Sequence, residues 1–305
     1  MPIDARQISV VIPTYRRGEI LLRTLELLFR LEPPPEELLV VDQTEEHPPE
    51  VERKLQQWET QGRIRLFRFS PPSIPRAMNT GLLEAKGAVA LFLDDDIVPA
   101  SDLVTAHAAR QDGAYAAVCG QVLQPGEFPD PEANRVRSEG FRADLHFHFC
   151  GTEPAELHNV MAGNLSVSRS AALAIGGFDE QFIGSAYRFE TDFARRLGVA
   201  GHRILFAPEA SVRHLRLSTG GTRSQGDHLS RPSPLHSVGD YYFALRHLHG
   251  TERAAYLTRR LLRETVNRFT LCHPGMLPKK LGSELQAWML ARRLNREGSR
   301  LIRTK

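Results

Sequence analysis

Residues 88–99 read AVALFLDDDIVP. An apolar run from Ala88 to Leu93 stops at three adjacent carboxylates, Asp94, Asp95 and Asp96, and the chain turns apolar again through Ile97 and Val98 to Pro99. A short, continuously apolar run of this kind reads as a strand buried on both faces, the pattern of a parallel sheet covered by helices. Three neighbouring anions at the end of such a strand repel one another and lose hydration, so a counter-charge is required. No basic residue adjoins them in sequence.

The chain on either side repeats the theme. QISVVIP (7–13) is a β-branched run closed by proline, followed by a helical pattern from Ile20 to Leu31 with leucines on one face. LLVVD (38–42) is a second strand ending in an acid, and Ile64 to Phe69 is a third, leading through SPPSIP into a helix from about Arg76 to Ala85. Strands alternating with amphipathic helices predict an α/β fold with a Rossmann-like, mostly parallel sheet flanked by helices. Ligands bind such sheets at the carboxyl ends of the strands, where Asp42 and Asp94 to Asp96 fall.

Further on, Cys119 to Val122 reads as a strand, and a polar stretch runs from Pro125 to about Pro154. VMAGNLSVS (160–168) alternates like a strand, Arg169 to Ile175 reads as a short helix closed by Gly176 and Gly177, and a helix from about Glu190 to Leu197 precedes a strand at Arg203 to Phe206. Residues 218–234 are rich in Ser, Thr, Gly and Pro and read as a loop or linker. The expected organisation is a catalytic domain over 1–217, a linker over 218–238 and a basic helical C-terminal extension over 239–305.

The 305 residues, 41% hydrophobic and 25% charged, are those of an ordinary globular protein. No signal peptide and no apolar run of about 18 residues is seen, so a cytoplasmic protein is expected. Cys119, Cys150 and Cys272 lack the paired spacing of a zinc or redox site and are expected to be buried free thiols. The net charge of +3 is uneven: from Thr251 to Lys305, 13 Lys and Arg stand against 4 Glu, leaving the remainder net acidic. That tail favours anionic partners.

In an extended segment residues i and i+2 share a side, so Asp94 and Asp96 face one ligand while Asp95 faces away. Hard oxygen donors on a turn suit magnesium or manganese, held by one or two carboxylates together with a substrate's phosphates. A solvated acidic turn is the plain alternative.

Five segments in order, VVIPTYRR (10–17), VVDQT (40–44), PRAMNTGLLEAKGAVALFLDDD (75–96), AGNLSVSRSAALAIGGFDEQF (162–182) and FETDFARRLG (189–198), resemble the glycosyltransferase family 2 enzymes, nucleotide-sugar-dependent transferases of the GT-A fold. The resemblance spans roughly residues 7–215, with a weaker echo in DYYFALRH (240–247). It implies that Pro13 and Thr14 shape the loop around the nucleobase, that Asp42 contacts the base, and that Arg76 and Asn79 lie on the nucleotide side. Asp94 and Asp96 fall at the ends of the family's D-x-D motif, the first meeting the ribose and the last holding Mg2+ or Mn2+ on the diphosphate. Asp95, between them, is grouped with the nucleotide-sugar side. The usual Asp-Asp-Gly-Ser is here Asp42-Gln43-Thr44, which loosens any assignment of the nucleotide.

The family's Glu-Asp-x-Asp appears as Phe189-Glu190-Thr191-Asp192, so Glu190 takes the place of the catalytic base and Asp192 that of its supporting acid. Two acids in the first turn of a helix also favour its dipole without any catalytic role. His214 resembles the histidine that completes the metal or diphosphate shell in many GT-A enzymes. Asn164 sits where acceptor-side and sugar-side contacts are made, and Asp179 of GGFDEQF is expected to cap a turn. His146 and His148 mimic metal spacing without a third ligand. Arg213, Arg216 and Arg223 flank a Gly-rich loop suited to folding over a diphosphate.

The implied reaction is inverting transfer of a sugar from a UDP-, GDP- or dTDP-linked donor to a saccharide, lipid-linked or small-molecule acceptor. The basic, leucine-rich C-terminal helices are candidates for peripheral membrane contact. A nucleic-acid partner is not expected, because no base-stacking aromatics accompany the charge. Two rival readings are a sugar-phosphate nucleotidyltransferase, against which the lack of a Gly-rich loop after the first strand argues, and a non-catalytic nucleotide-sugar-binding protein.

Overall fold

A computed structural model describes residues 3–137, 142–217, 220–221 and 230–303. Its centre is one sheet in the order β3-β2-β1-β4-β8-β6-β9-β5, with β7 paired to β9. The strands are β1 (Ile8–Thr14), β2 (Glu37–Asp42), β3 (Arg65–Arg68), β4 (Val89–Leu93), β5 (Ile97–Pro99), β6 (Ala117–Leu123), β7 (Ala155–Leu157), β8 (Asn164–Ser168) and β9 (Ile204–His214). The first four run parallel; β8 lies antiparallel between β4 and β6, and β9 returns parallel to β6.

The unbroken apolar strands are explained by two cores, one on each face. Val11, Leu39, Val41, Ala90 and Phe92 point into one. Val10, Ile12, Val40, Leu91 and Leu93 point into the other. Helices α1 (Gly18–Leu28), α2 (Pro49–Thr60) and α4 (Leu103–Arg110) cover the second core, and α3 (Ile74–Glu84), α5 (Arg169–Ala174) and α6 (Phe189–Val199) cover the first. Burial of each large aliphatic or aromatic side chain contributes about 1.5–3 kcal/mol, so the sheet is held from both sides.

Helix α3 starts where sequence signals meet: Ser73 caps it, its hydroxyl accepting from the Arg76 amide at 3.4 Å, and Pro75 occupies the first turn. At GGFDEQF, Gly177 has φ +65°, and a Cβ there would lie 2.4 Å from Asn79 Oδ1. Glycine therefore lets Asn79 close the turn, accepting from the Phe178 amide at 2.8 Å and donating to the Phe178 carbonyl at 2.9 Å.

The C-terminal part is α7 (Pro234–His247), α8 (Gly250–Thr265), α9 (Arg268–Cys272) and α10 (Leu277–Glu297). The boundary expected at 238/239 falls inside α7, whose Val238, Tyr242 and Phe243 join the first core together with Ala287, Ala291 and Leu294 of α10. Tyr242 donates to Asp179 at 2.8 Å, and the last described residues fold back on the same turn, the Arg300 amide donating to Asp179 at 2.8 Å. Asp179 also caps its own turn through the Gln181 amide at 3.0 Å.

Cys119 is buried as expected, but Cys150 is half-buried and Cys272 exposed. Among the described residues no helix is long and apolar enough to cross a membrane.

Candidate active site

β1, β2 and β4 all end on one rim, and their last residues meet. Thr14 is in register with Asp42, and its hydroxyl donates to Asp95 at 2.7 Å. A second hydroxyl, Thr24, donates to the Asp95 carbonyl at 2.8 Å. These hydroxyls hold Asp95, whose carboxylate is 9% exposed while that of Asp94 is 50% exposed; the expected i, i+2 alternation is not seen, since Asp96 is buried too, at 2%, and Asp95 borders the same cavity as its neighbours. Burial pushes the Asp95 carboxyl up to about 7, with Thr14 and Arg17 opposing and the charges of Asp96 and Asp94 adding.

Pairing of β5 with β9 sets Ile97 opposite His214 and so carries the histidine to the acids. His214 Nε2 lies 3.0 Å from Asp96 Oδ1 and 3.8 Å from Asp94 Oδ2. One ligand atom from each of Asp94, Asp96 and His214 falls within 4.8 Å of the others. Gly163 makes room for this, since a Cβ there would stand 2.3 Å from Asp94 Oδ2.

His214 Nδ1 meets Gln124 Oε1 at 3.0 Å. A carbonyl oxygen only accepts, so Nδ1 donates to it, and Nε2, 3.0 Å from Asp96 Oδ1, is the ring atom that would face a bound cation. The three residues fit a divalent cation: two carboxylates and an oriented imidazole converge on one wall.

The cation that answers the aspartates is Arg17, at the N-cap of α1, 3.4 Å from Asp95 and 3.4 Å from Asp96 and 8% exposed. Asp96 also accepts from the Leu217 amide at 3.1 Å. Burial works against its ionisation, but His214, that amide and Arg17 hold its carboxyl below the ordinary range. Arg17 lies inside VVIPTYRR, 78 residues before Asp95 and 79 before Asp96; the signal for it is the demand for a counter-charge at the same rim, not proximity in sequence.

Beside these groups opens a cavity of about 210 Å³, lined by Pro13, Thr14, Gln43 and Ser73 together with Asp94, Asp95, Asp96, Ala162 and His214. Gln43 and Ser73, which sequence reasoning did not single out, are tied together, the Ser73 amide donating to Gln43 Oε1 at 2.6 Å. Gly221 also borders the cavity, its amide donating to the Tyr15 carbonyl at 2.8 Å. Of the expected arginine lid, Arg213 and Arg216 are exposed, and Arg223 lies outside the described residues.

Several expected contacts lie elsewhere. Asp42 is fully buried beneath the rim, its oxygens taken by His47 at 2.7 Å and the Thr44 amide at 2.9 Å. Although burial opposes it, these partners keep its carboxyl below the ordinary range. Arg76 is exposed and stacks over Phe69, 4.1 Å from the ring. Asn79 is consumed by the Phe178 turn and by Glu180, to which it donates at 2.9 Å.

Asn164 is 0% exposed, donating to Gln121 and Ala210 carbonyls at 3.0 and 2.8 Å while meeting His107 at 2.9 Å, so it offers no atom to a substrate. His107, another residue not foreseen, is buried and pushed down to about 4, hence neutral, and it props β8 through Asn164 and Ser166.

At the start of α6, Glu190 accepts from the Ala162 amide at 2.5 Å, on the cavity's wall. Burial pushes its carboxyl up to about 7; the Ala162 amide opposes and the Asp94 charge adds. Asp192 differs. It is fully buried between His247 at 2.7 Å and Arg196 at 2.8 Å, and despite burial these partners keep its carboxyl low. With both oxygens engaged it ties α6 to α7 and reaches no substrate.

A sequence model described as glycosyl transferase family 2 matches residues 9–172, more than half of the chain. No curated protein matches the sequence. Among solved structures, the chain is similar to S. aureus TarS 1–349 in complex with UDP-GlcNAc, with a TM-score of 0.64, 15% identity, and coverage of 95% of this chain and 83% of that one. It is also similar to the mannosyltransferase PcManGT from Pyrobaculum calidifontis in complex with GDP-Man and Mn2+, with a TM-score of 0.55, 17% identity, and coverage of 96% and 87%. A third likeness, to GalNAc-T7 with UDP, GalNAc and Mn2+, has a TM-score of 0.52 and 16% identity, covering 83% of this chain but about half, 54%, of that one. At these identities the likeness is one of fold.

Proposed function

The chain belongs to glycosyl transferase family 2 and is a glycosyltransferase, and from that premise we propose that it moves a sugar from a nucleotide-diphospho-sugar to an acceptor hydroxyl, with inversion and with the help of a divalent metal. The observation that carries this reading is the convergence of Asp94, Asp96 and His214 on a cavity whose wall also bears Ala162, the hydrogen-bond partner of Glu190. The UDP- and GDP-sugars and the Mn2+ held by proteins of similar fold support the same choice of donor and ion.

In this reading the nucleotide packs against Pro13, Thr14, Gln43 and Ser73, and the half-exposed Asp94 meets its ribose. Asp42 acts indirectly, holding His47 and the turn at Thr44 that shape the rim. Asp96 and His214, with Asp94, would hold Mn2+, whose chemistry is neutralisation of the departing diphosphate. Arg17 supplies a fixed positive charge on the same wall.

Glu190 is the general base. Its carboxylate takes the proton of the acceptor O–H as that oxygen bonds to the anomeric carbon; the bond from that carbon to the diphosphate oxygen breaks, and the diphosphate leaves with the electron pair. A carboxyl titrating near 7 is matched to this work at neutral pH. Asp192 and His247 set the pitch of α6 and so position Glu190.

A role in polysaccharide, glycolipid or glycoside synthesis fits this chemistry. Peripheral membrane contact is supported by α10, where Leu277, Leu281, Leu285 and Met289 recur every fourth residue, exposed, on one face. Thermal shift with UDP-, GDP- and dTDP-sugars and Mn2+ tests the donor reading: the cognate donor raises the melting temperature with Mn2+ and not in Asp96→Ala. Stabilisation by none of them, or pyrophosphate release from a nucleoside triphosphate, would defeat it.

A further inference from the structure

Beyond the donor cavity lies a second, of about 610 Å³, formed where α7, α8, α9 and α10 meet and lined by Ser185, Tyr187, Arg263, Arg268, Lys280 and Ser283 among others. Its size is that of a small-molecule site. Its charge is unevenly answered. Arg260, on the same wall, is paired with Asp240, with Ser237 at 2.7 Å and with Glu284 at 3.5 Å. Lys280 is not: it is 3% exposed, its ammonium donates to the Glu264 carbonyl at 3.2 Å and sits 5.3 Å from the Phe269 ring, and among the described residues no carboxylate pairs with it. An ammonium has three donors, and one is spent. Arg268 likewise has no carboxylate partner among the described residues. Half-exposed Arg263 pairs with Glu264 at 3.4 Å and with Asp240 at 3.8 Å.

An adjoining cavity of about 120 Å³ adds Arg142, Arg188 and Arg259, with Asp240 the acid on its wall. Burying a lysine without a counter-ion is costly unless an anion completes it, and several cations around one chamber match the several oxygens of a phosphate better than a lone carboxylate.

The position of the chamber says what the anion belongs to. Gly184 lines the donor cavity, Ser185 and Tyr187 line this one, and Glu190 lies in the first turn of α6. One stretch, residues 184–190, thus borders both cavities and carries the proposed base, within a span of at most about 22 Å of extended chain.

We propose that this chamber is an acceptor subsite that holds a phosphate group, so that the acceptor is a phosphate-bearing hydroxyl compound. The word acceptor rests on the transferase reading above; the phosphate site does not. A soluble phosphate ester and a phospholipid headgroup share the chemistry.

Calorimetric titration of the metal-free protein with glycerol phosphate, glycerate and glycerol tests the site, alongside sedimentation with phosphatidylglycerol and phosphatidylcholine vesicles. Glycerol phosphate or the anionic vesicle binds, glycerol does not, and the affinity falls about tenfold in Arg268→Gln and in Lys280→Met. UDP binding with Mn2+ stays unchanged in both variants. Which probe binds identifies the source. Arg268→Gln alters an exposed side chain and keeps the test valid should Lys280→Met misfold. Phosphate binding equal in wild type and variants, glycerate bound as tightly as glycerol phosphate, or no binding of either phosphate probe overturns the proposal. Phosphate binding without UDP binding would retain the chamber and sink the transferase reading instead.

Discussion

Replacing Glu190 by glutamine removes a charge and almost nothing else, because the amide carbonyl can still accept from the Ala162 amide. Burial raises the glutamate from 4.5 to about 7, a bias against the charged form of about 3 kcal/mol at about 1.4 kcal/mol per unit. The sign follows from linkage. A carboxyl with a raised folded pKa keeps its proton in the folded chain after the unfolded chain has released it, so wild-type stability falls as pH rises from about 4.5 to about 7.

Glutamine does not titrate. At about pH 8.5 the variant is therefore more stable than wild type by up to about 3 kcal/mol, a gain of roughly 5 °C for a chain of this size, and the gain nearly vanishes at about pH 5. Because Glu190 is only half-buried, screening by solvent makes this an upper bound.

Transfer moves the other way. Losing a general base costs about 10²–10⁴ in rate, while the wild-type rate climbs with pH to a plateau above about 7 as the carboxylate forms. Paired calorimetric scans at the two pH values, with transfer rates on the same samples, read both effects. An equal melting difference at both pH values, or undiminished transfer in Glu190→Gln, would refute the reasoning.

Other consequences are as specific. His214→Ala lowers Mn2+ affinity by about a hundredfold in calorimetry and Gln124→Ala by about tenfold, the latter because Nδ1 loses the acceptor that fixes its proton. Arg17→Gln leaves Asp95 and Asp96 without their cation and destabilises the metal-free protein by about 3 kcal/mol; Mn2+ recovers part of the loss in a thermal shift. Asp192→Asn breaks the tie to His247 and Arg196 and costs about 3–5 kcal/mol at neutral pH in urea denaturation. Asp192 has a lowered folded pKa, so its contribution is present above its ordinary value of 3.8 and fades as pH falls below it. The difference between wild type and Asp192→Asn therefore shrinks in acid.

The strands were legible because their physics is local. A run such as Ala88 to Leu93, apolar on both faces, has few alternatives to a covered sheet, and acids at strand ends mark the rim. The family motifs added the placement of Asp94, Asp96 and His214, which the structure brings within 4.8 Å. What escaped was long-range. Arg17, His107 and His247 find their partners across the fold, and no spacing in the sequence announces those pairs. The buried asparagines misled for a related reason: an amide side chain that satisfies a turn or a strand end has the same letter as one that meets a sugar. Only the count of its hydrogen bonds separates the two, as at Asn164. The apparent linker boundary failed because basic residues on the solvent side of α7 to α10 masked an inner face that completes the first core.

The central claim is that Asp94, Asp96 and His214 serve a metal that makes a nucleoside diphosphate a leaving group. It is tested most directly by following nucleoside diphosphate release from the donor that binds, in Mn2+, after chelation, and in Asp96→Ala. The account predicts release in Mn2+ and its loss, by about a hundredfold or more, in the other two. Full release after chelation, or from Asp96→Ala, would contradict it.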